Sequence, residues 1–322
     1  MGRAELSRRG LFALVTAGAA TLALPRAARA QEVTAIDVGG EPSAVAVNPV
    51  TGFAYVTDPT TGSVSVVDAL TETVGAVVQT GGEPRDVAVD PVANRIYVTN
   101  PPAGTVIVLD GLTHDVVSVI GAGDGASSVA VDAQANRIYA VSAATGTLAI
   151  LDGVGCQLRT LVPAPKPSLA GVAVDPGRKL VYCTSTNTDS VEIYDIGAGK
   201  FTTSVKVGHN PAGVAVHQAS GTVYVANSGI HHMSIVDATT HAERKTVLLG
   251  SESSSLAVHQ GTNTVYTNGG QNGLSRIDGA AGTLSGELSL GINPGAVAVD
   301  QRTRTVYVTD PLHGRVSLVR DF

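Results

Sequence analysis

The feature that most constrains the fold is a tyrosine that returns about every 42 residues. Seven of the eight tyrosines, at positions 55, 97, 139, 182, 224, 266 and 307, are spaced 41 to 43 residues apart. A triplet of an apolar residue, Ala and Val begins ten residues before each of them, from Val45–Val47 to Val297–Val299. A period near 42 with alternating apolar residues is typical of four-stranded propeller blades. The sequence therefore predicts an all-β fold, a seven-bladed β-propeller.

The order of the elements within a repeat predicts how the ring closes. After the triplet strand and the Tyr strand come a third strand that ends at Asp and a fourth strand, such as Thr73–Gln79. The chain ends after the third strand of its last repeat, whereas Val33–Val38 resembles a fourth strand with no repeat before it. We expect this N-terminal strand to complete the seventh blade, because an open sheet edge invites aggregation.

Residues 1–30 differ in composition from the rest of the chain and predict a signal peptide. A basic start precedes the apolar run Leu11–Leu24, and Ala28–Ala30 forms a small-residue cleavage site. The segment Ser7–Phe12, with its paired Arg8 and Arg9, resembles a twin-arginine export signal, and an ordinary secretory signal is the alternative. We expect residues 31–322 to form the mature propeller, which would be periplasmic or secreted from a bacterium.

The charge and the cysteines narrow the range of partners. The whole chain carries a net charge of −6, and residues 1–30 hold five Arg and one Glu, so the mature part carries −10. This balance argues against nucleic acid or an anionic membrane as partner. Cys156 and Cys183 form no C-x-x-C-H motif, which argues against covalent haem. The sequence allows two alternatives, a disulfide between these cysteines or two free thiols.

The strands that carry the repeated tyrosines resemble the YVTN family of β-propeller repeats. Tyr97–Asn100 reads Tyr-Val-Thr-Asn, and Tyr55–Asp58 and Tyr307–Asp310 differ only at the last position. The resemblance covers essentially all of the mature chain and implies an exported seven-bladed propeller. A residue present in every blade is a packing residue first. We therefore expect the Tyr to fill space between blades and the Thr and Asn to satisfy backbone groups.

Histidine is the least repetitive feature and supplies the candidate catalytic and metal-binding residues. His209, His231 and His232 fall in the loops of repeat 5, and Glu252 enters from repeat 6 on the same predicted face. Three imidazoles and a carboxylate could bind a divalent metal or act as acid and base. Their spacing matches no ligand signature, so solvated loop histidines are the alternative.

Five further residues on the loop-bearing face are candidate ligand-binding residues. Arg85 and Asp86 stand where the other repeats carry small residues, and they predict either a site for an anion or an ion pair that closes the channel. Glu41, Asn210 and His313 lie in loops that should reach the same face.

These observations favour a binding protein over an enzyme. No P-loop, dinucleotide fingerprint, G-x-S-x-G or H-E-x-x-H motif is present. The first hypothesis is a periplasmic, monomeric scaffold that binds a partner protein or small ligand on its loop-bearing face. The second is a metal-assisted lyase or hydrolase at the channel mouth. An accessory to periplasmic redox enzymes is the third.

Overall fold

The computed structural model describes residues 31–322, which form one compact ring of seven four-stranded antiparallel blades. The predicted seven-bladed β-propeller is therefore confirmed. The predicted signal peptide, residues 1–30, lies outside the described residues. Within residues 31–322, no helix is long and apolar enough to cross a membrane.

The first and second strands of each blade carry the repeated motifs. The first strands, which line the central channel, are Ala44–Val47, Val87–Asp90, Ala126–Asp132, Leu169–Asp175, Pro211–His217, Leu256–His259 and Val297–Val299. The second strands, which carry the repeated tyrosines, are Phe53–Asp58, Arg95–Asn100, Arg137–Ser142, Leu180–Ser185, Thr222–Asn227, Thr264–Gly270 and Val306–Asp310. Short 3-10 helices at Pro101–Ala103 and Thr186–Thr188 follow the second strands of blades 2 and 4.

The third and fourth strands complete each blade toward the outside. The third strands are Ser63–Asp68, Thr105–Asp110, Thr147–Asp152, Ser190–Asp195, His232–Asp237, Gly273–Asp278 and Arg315–Arg320. The fourth strands are Thr73–Gln79, Val116–Gly121, Gln157–Pro163, Lys200–Lys206, Ala242–Leu248, Thr283–Ser289 and, for blade 7, Glu32–Asp37.

The N-terminal strand closes the ring as the sequence predicts. It pairs antiparallel with the last strand of the chain, so that Val33 lies opposite Val319 and Ile36 lies opposite Val316. Ile36 is buried there among residues of blades 7 and 1. The first and last segments of the mature chain therefore hold each other in place, and no described blade lacks a fourth strand.

The hydrophobic core lies between blades, and the repeated tyrosines are its largest members. All seven are at most 3% exposed. Tyr97 of blade 2 packs with Ile138 and Leu151 of blade 3, which illustrates how one blade fills its neighbour. The hydroxyl of Tyr224 donates to Asn263 Oδ1 of the next blade at 2.8 Å. These contacts confirm that the Tyr packs between blades.

The motif threonine links the first strands of adjacent blades. The Thr184 hydroxyl accepts a hydrogen bond from the Gly171 N–H of its own blade and donates to the Ala212 carbonyl of the next, both at 2.7 Å. Thr57 and Thr99 make the equivalent pair of bonds in blades 1 and 2. Because a buried backbone group without a partner is costly, these hydroxyls fix both strands.

The two cysteines are free thiols, so the disulfide that the sequence left open does not form. Cys183 is fully buried in the second strand of blade 4, and Cys156 is partly exposed in a turn of blade 3. Burial raises the pKa of the Cys183 thiol, and the nearby Glu192 carboxylate adds to this effect. Cys183 is therefore an inert packing residue.

Candidate functional site

All seven blades meet at one end of the central channel, where a cavity of about 450 Å³ opens. We call this region the channel mouth and define it by the two residues that precede each apolar-Ala-Val triplet. These residues are Ser43 and Ala44, Arg85 and Asp86, Ser127 and Ser128, Ala170 and Gly171, Ala212 and Gly213, Ser254 and Ser255, and Gly295 and Ala296.

Close packing of the first strands explains why blades 4 and 5 contribute only small residues. A Cβ atom added to Gly171 would lie 2.2 Å from the Ala212 carbonyl oxygen, and one added to Gly213 would lie 2.8 Å from the Ser254 carbonyl oxygen. Such distances leave no room for a side chain. The polar side chains of the channel mouth therefore come from blades 1, 2, 3 and 6.

Arg85 is the single cationic side chain that lines the channel mouth. Its backbone is fixed, because its carbonyl oxygen accepts hydrogen bonds from the Ser43 hydroxyl at 2.8 Å and the Thr57 hydroxyl at 3.1 Å. Its exposed guanidinium, in contrast, makes no hydrogen bond or ion pair within residues 31–322. A held backbone with an unpaired head group is suited to receive an anion.

Asp86 has a different role from the one that the sequence suggested. Its Oδ1 accepts a hydrogen bond from the Val87 N–H at 2.8 Å. Its Oδ2 accepts bonds from the Ser128 hydroxyl at 2.8 Å and the Val129 N–H at 3.0 Å. The predicted ion pair with Arg85 does not form, and the carboxylate joins blade 2 to blade 3 instead. Burial raises the pKa of Asp86, although these hydrogen bonds and the Arg85 charge oppose the rise.

The channel mouth is also rich in backbone donors. A first strand has a neighbouring strand on one edge only, so alternate N–H groups on its other edge point toward the axis. Two of these bind side chains of the preceding blade: the Val129 N–H binds Asp86, and the Val297 N–H binds Ser255 Oγ at 3.0 Å. The equivalent Val87 N–H of blade 2 binds Asp86 of its own blade, and by the repeat those of the remaining four blades face the same space. Guanidinium, hydroxyls and N–H groups together favour a bound anion.

The four predicted catalytic and metal residues are not assembled into one site. His209 is exposed, and its Nδ1 lies 3.1 Å from Asp189 Oδ1. His231 and Glu252 are exposed, and His232 is half-buried at the start of a third strand. Within residues 31–322, no group of three or more His, Cys, Asp or Glu side chains is placed to hold a metal ion.

Glu41, Asn210 and His313 lie apart from the channel mouth. The Asn210 side-chain amide donates to Ser228 Oγ at 2.7 Å, and His313 Nδ1 lies 2.8 Å from Asp310 Oδ2. Glu41 is exposed and lines a separate depression between blades 7 and 1. Of the five predicted ligand-binding residues, the structure thus places Arg85 and Asp86 at the channel mouth.

Sequence reasoning missed the serines of the channel mouth, which are Ser43, Ser127, Ser128, Ser254 and Ser255. Each of them stands one or two places before a triplet, where the other blades have Gly, Ala, Arg or Asp. The signal was therefore present in the sequence. In the sequence these serines resemble the Gly and Ala residues of the other blades, because all are small. That they converge on one axis becomes visible only when the ring is closed.

Comparisons with known proteins support the fold. The chain is similar in structure to the Kuenenia stuttgartiensis hydrazine synthase, with a TM-score of 0.77 and 15% sequence identity. That similarity covers 87% of this chain and 95% of the other. At this identity the likeness shows a shared propeller architecture alone. No family model matches the chain, so membership of the YVTN family stays a prediction, and no curated protein matches it.

Proposed function

We propose that this chain is an exported binding propeller that takes a small carboxylate-bearing ligand at the channel mouth. The observation that carries the proposal is Arg85, a lone cation on a fixed backbone, whose guanidinium has no partner among the described residues. It faces a cavity whose other lining residues are serines, Gly and Ala residues, the apolar residues that begin five of the triplets, and one carboxylate that is already bound.

Three features support a carboxylate as the ligand. A guanidinium binds a carboxylate with two parallel hydrogen bonds, which gives both strength and orientation. The Asp86 carboxylate is satisfied by two N–H groups and a hydroxyl and makes no ion pair with Arg85, so the guanidinium remains available to a ligand. The cavity of about 450 Å³ lies within the range of roughly 300 to 1,000 Å³ that is usual for small-molecule sites.

Isothermal titration calorimetry with sodium acetate, succinate and citrate tests this proposal. We expect saturable binding of at least one of them by the wild-type mature protein. Arg85→Gln should raise its Kd by about 10-fold or more, because a charged hydrogen bond is lost. Arg304→Gln removes an exposed cation from a turn of blade 7 and should leave the Kd unchanged. Absence of binding for all three acids, or equal Kd values for Arg85→Gln and wild type, would contradict the proposal.

Export through the twin-arginine route is the second part of the proposal. It rests on Arg8 and Arg9, which stand before the apolar run Leu11–Leu24. In a bacterial host, the wild-type precursor should be processed near Ala30 and recovered in the periplasm. The double change Arg8→Lys and Arg9→Lys should leave the precursor in the cytoplasm. Unchanged processing of that variant would point to an ordinary secretory signal.

The metal-assisted activity is not part of this proposal. It requires His209, His231, His232 and Glu252 to converge, and the structure instead pairs His209 with Asp189. The channel mouth itself is lined by no His or Cys from the described chain. The observations therefore favour binding over acid–base or metal chemistry at this position.

A further inference from the structure

A second cavity lies between blades 3 and 4, at the face opposite the channel mouth. Its volume is about 530 Å³. We call it the blade 3–4 groove. It opens where the first strand of blade 3 turns into the second and where the third strand of blade 4 turns into the fourth. The residues that matter here are Arg137, Tyr139, Arg159, Lys179, Tyr194 and Ile196.

An isoleucine at one repeat position accounts for the place of this groove. The repeated Tyr of one blade normally lies against a small residue that follows the third strand of the next. A Cβ atom added to Gly279 would lie 2.2 Å from the Tyr224 hydroxyl oxygen, and one added to Gly153 would lie 2.9 Å from that of Tyr97. Blade 4 carries the larger Ile196 at this position, and Ile196 packs in the same cluster as the buried Tyr139 and lines the groove.

Tyr194 further distinguishes the groove, because it is the one tyrosine outside the repeat. It occupies a third-strand position where the other blades have Val, Leu or Ile. Its ring packs edge-on against Phe201 with centroids 5.4 Å apart. Together with Ile150 and Ile196, it gives the groove an apolar and aromatic wall.

Two cations that face this groove have no partner. Arg95 of blade 2 donates to the Gly153 carbonyl at 2.7 Å and lies 3.2 Å from Cys156 Sγ, so it is tied to blade 3. Arg137 holds the same position in blade 3 but makes no hydrogen bond or ion pair within residues 31–322, and neither does the Lys179 ammonium. Unlike Arg95, Arg137 is therefore not tied to the next blade by a hydrogen bond, and it lines the groove.

The remaining charges of the groove are already in use. Arg159 is paired with Asp152. Asp132 accepts hydrogen bonds from the N–H groups of Gln134 and Ala135, which cap its own turn. Arg137 and Lys179 are thus the unpaired charges in a groove of a protein whose mature net charge is −10.

We propose that the blade 3–4 groove is a binding site for an organic anion with an apolar, ring-containing body. The anionic group would lie between Arg137 and Lys179, and the apolar body would lie against Tyr194 and Ile196. The Tyr139 hydroxyl is a further donor at the base of the groove. Burial raises the pKa of Tyr139 to about 12, with Asp132 adding to the rise, so this hydroxyl stays protonated at neutral pH.

Titration with 8-anilinonaphthalene-1-sulfonate, a fluorescent aromatic anion, tests the site. We expect saturable binding by the wild-type protein that weakens as salt is raised, because the contact is charged. The double variant Arg137→Gln and Lys179→Asn should raise the Kd about 10-fold or more. Arg304→Asn is the matched control, since Arg304 holds the same repeat position as Lys179 in blade 7 and shares its positive φ.

Hydrogen exchange of the complex shows where the probe binds. We expect protection within residues 157–163 and 176–197, and thermal melting establishes that each variant is folded. The Kd should be unchanged in Arg85→Gln, which separates this site from the channel mouth. An unchanged Kd in the double variant, or protection confined to other segments, would overturn the proposal.

Discussion

Thr99 lies on the second strand of blade 2, and Arg85 lies just before the first strand, Val87–Asp90. The Arg85 N–H donates to the Thr99 carbonyl at 2.9 Å, yet the two side chains differ in burial and in bonding. Thr99 belongs to the repeat, is fully buried, and uses its hydroxyl to bind the backbone of blades 2 and 3. Arg85 interrupts the repeat, is exposed, and leaves its guanidinium unpaired. The recurring residue thus holds two blades together, whereas the residue that breaks the recurrence leaves a charged group exposed at the channel mouth.

Removing the N-terminal strand that closes the ring has the largest expected effect on stability. Deletion of residues 31–38 leaves the strand Arg315–Arg320 with an open edge and removes the buried Ile36. We expect a loss of roughly 4 kcal/mol or more in unfolding free energy, with aggregation, as measured by urea unfolding. A peptide of residues 31–38 added in trans should restore part of the stability. Equal stability of the truncated and mature chains would show that the strand does not close the ring.

Replacing one motif threonine tests how much a single repeated residue stabilises the contact between blades. Thr184→Val keeps the shape but leaves the Gly171 N–H and the Ala212 carbonyl without this partner. We expect a destabilisation of about 1 to 3 kcal/mol in urea unfolding. Thr239→Val, at an exposed turn position, should change stability by less than about 0.5 kcal/mol. A similar loss of stability in both variants would show that the buried motif threonine contributes no more than an exposed one.

The smallest expected effect concerns the aspartates that cap turns. Backbone hydrogen bonds from Leu112 and Thr113 lower the pKa of Asp110. A carboxyl group whose pKa is lower in the folded state stabilises the fold at a pH above its pKa in the unfolded state, which is about 3.9 for Asp. This stabilisation is lost as the pH falls through the pKa of the folded state. Asp110→Asn should therefore be less stable than wild type at pH 7, with a difference that shrinks below about pH 4.

Solvent screening limits that difference to about 0.5 kcal/mol, because Asp110 is partly exposed to solvent. Melting temperatures between pH 7 and pH 3 measure it. Asp124→Asn is the control, since the Asp124 carboxylate accepts no hydrogen bond in the described chain. If the difference in melting temperature between Asp110→Asn and wild type stays constant from pH 7 to pH 3, the ionised Asp110 carboxylate does not stabilise the fold.

The fold could be predicted from the sequence because it rests on periodic, local signals. Spacing alone gave the number of blades, and an unmatched strand at each end gave the closure, since Glu32–Asp37 pairs with Arg315–Arg320. The predicted N-terminal strand, Val33–Val38, is one residue off the observed Glu32–Asp37, because a residue next to a turn belongs to either element.

The site could be predicted only in part, because it depends on where loops lie around a ring. Arg85 stood out as a break in the repeat and does line the channel mouth. The histidines of blade 5 also break the repeat, but they belong to no group of the described chain that is placed to hold a metal ion, and His209 contacts Asp189 of blade 4. The blade 3–4 groove depends on Ile196, whose effect follows from contact with a tyrosine of the preceding blade that sequence spacing does not show.

The most direct test of the channel-mouth site is a crystal structure of the mature protein soaked with succinate, a carboxylate that does not react with thiols or imidazoles. We expect difference density for succinate in the channel mouth, with one carboxylate within hydrogen-bonding distance of the Arg85 guanidinium, and no such density in Arg85→Gln crystals. Density that persists in Arg85→Gln, or succinate found only away from the channel mouth, would contradict the proposed site.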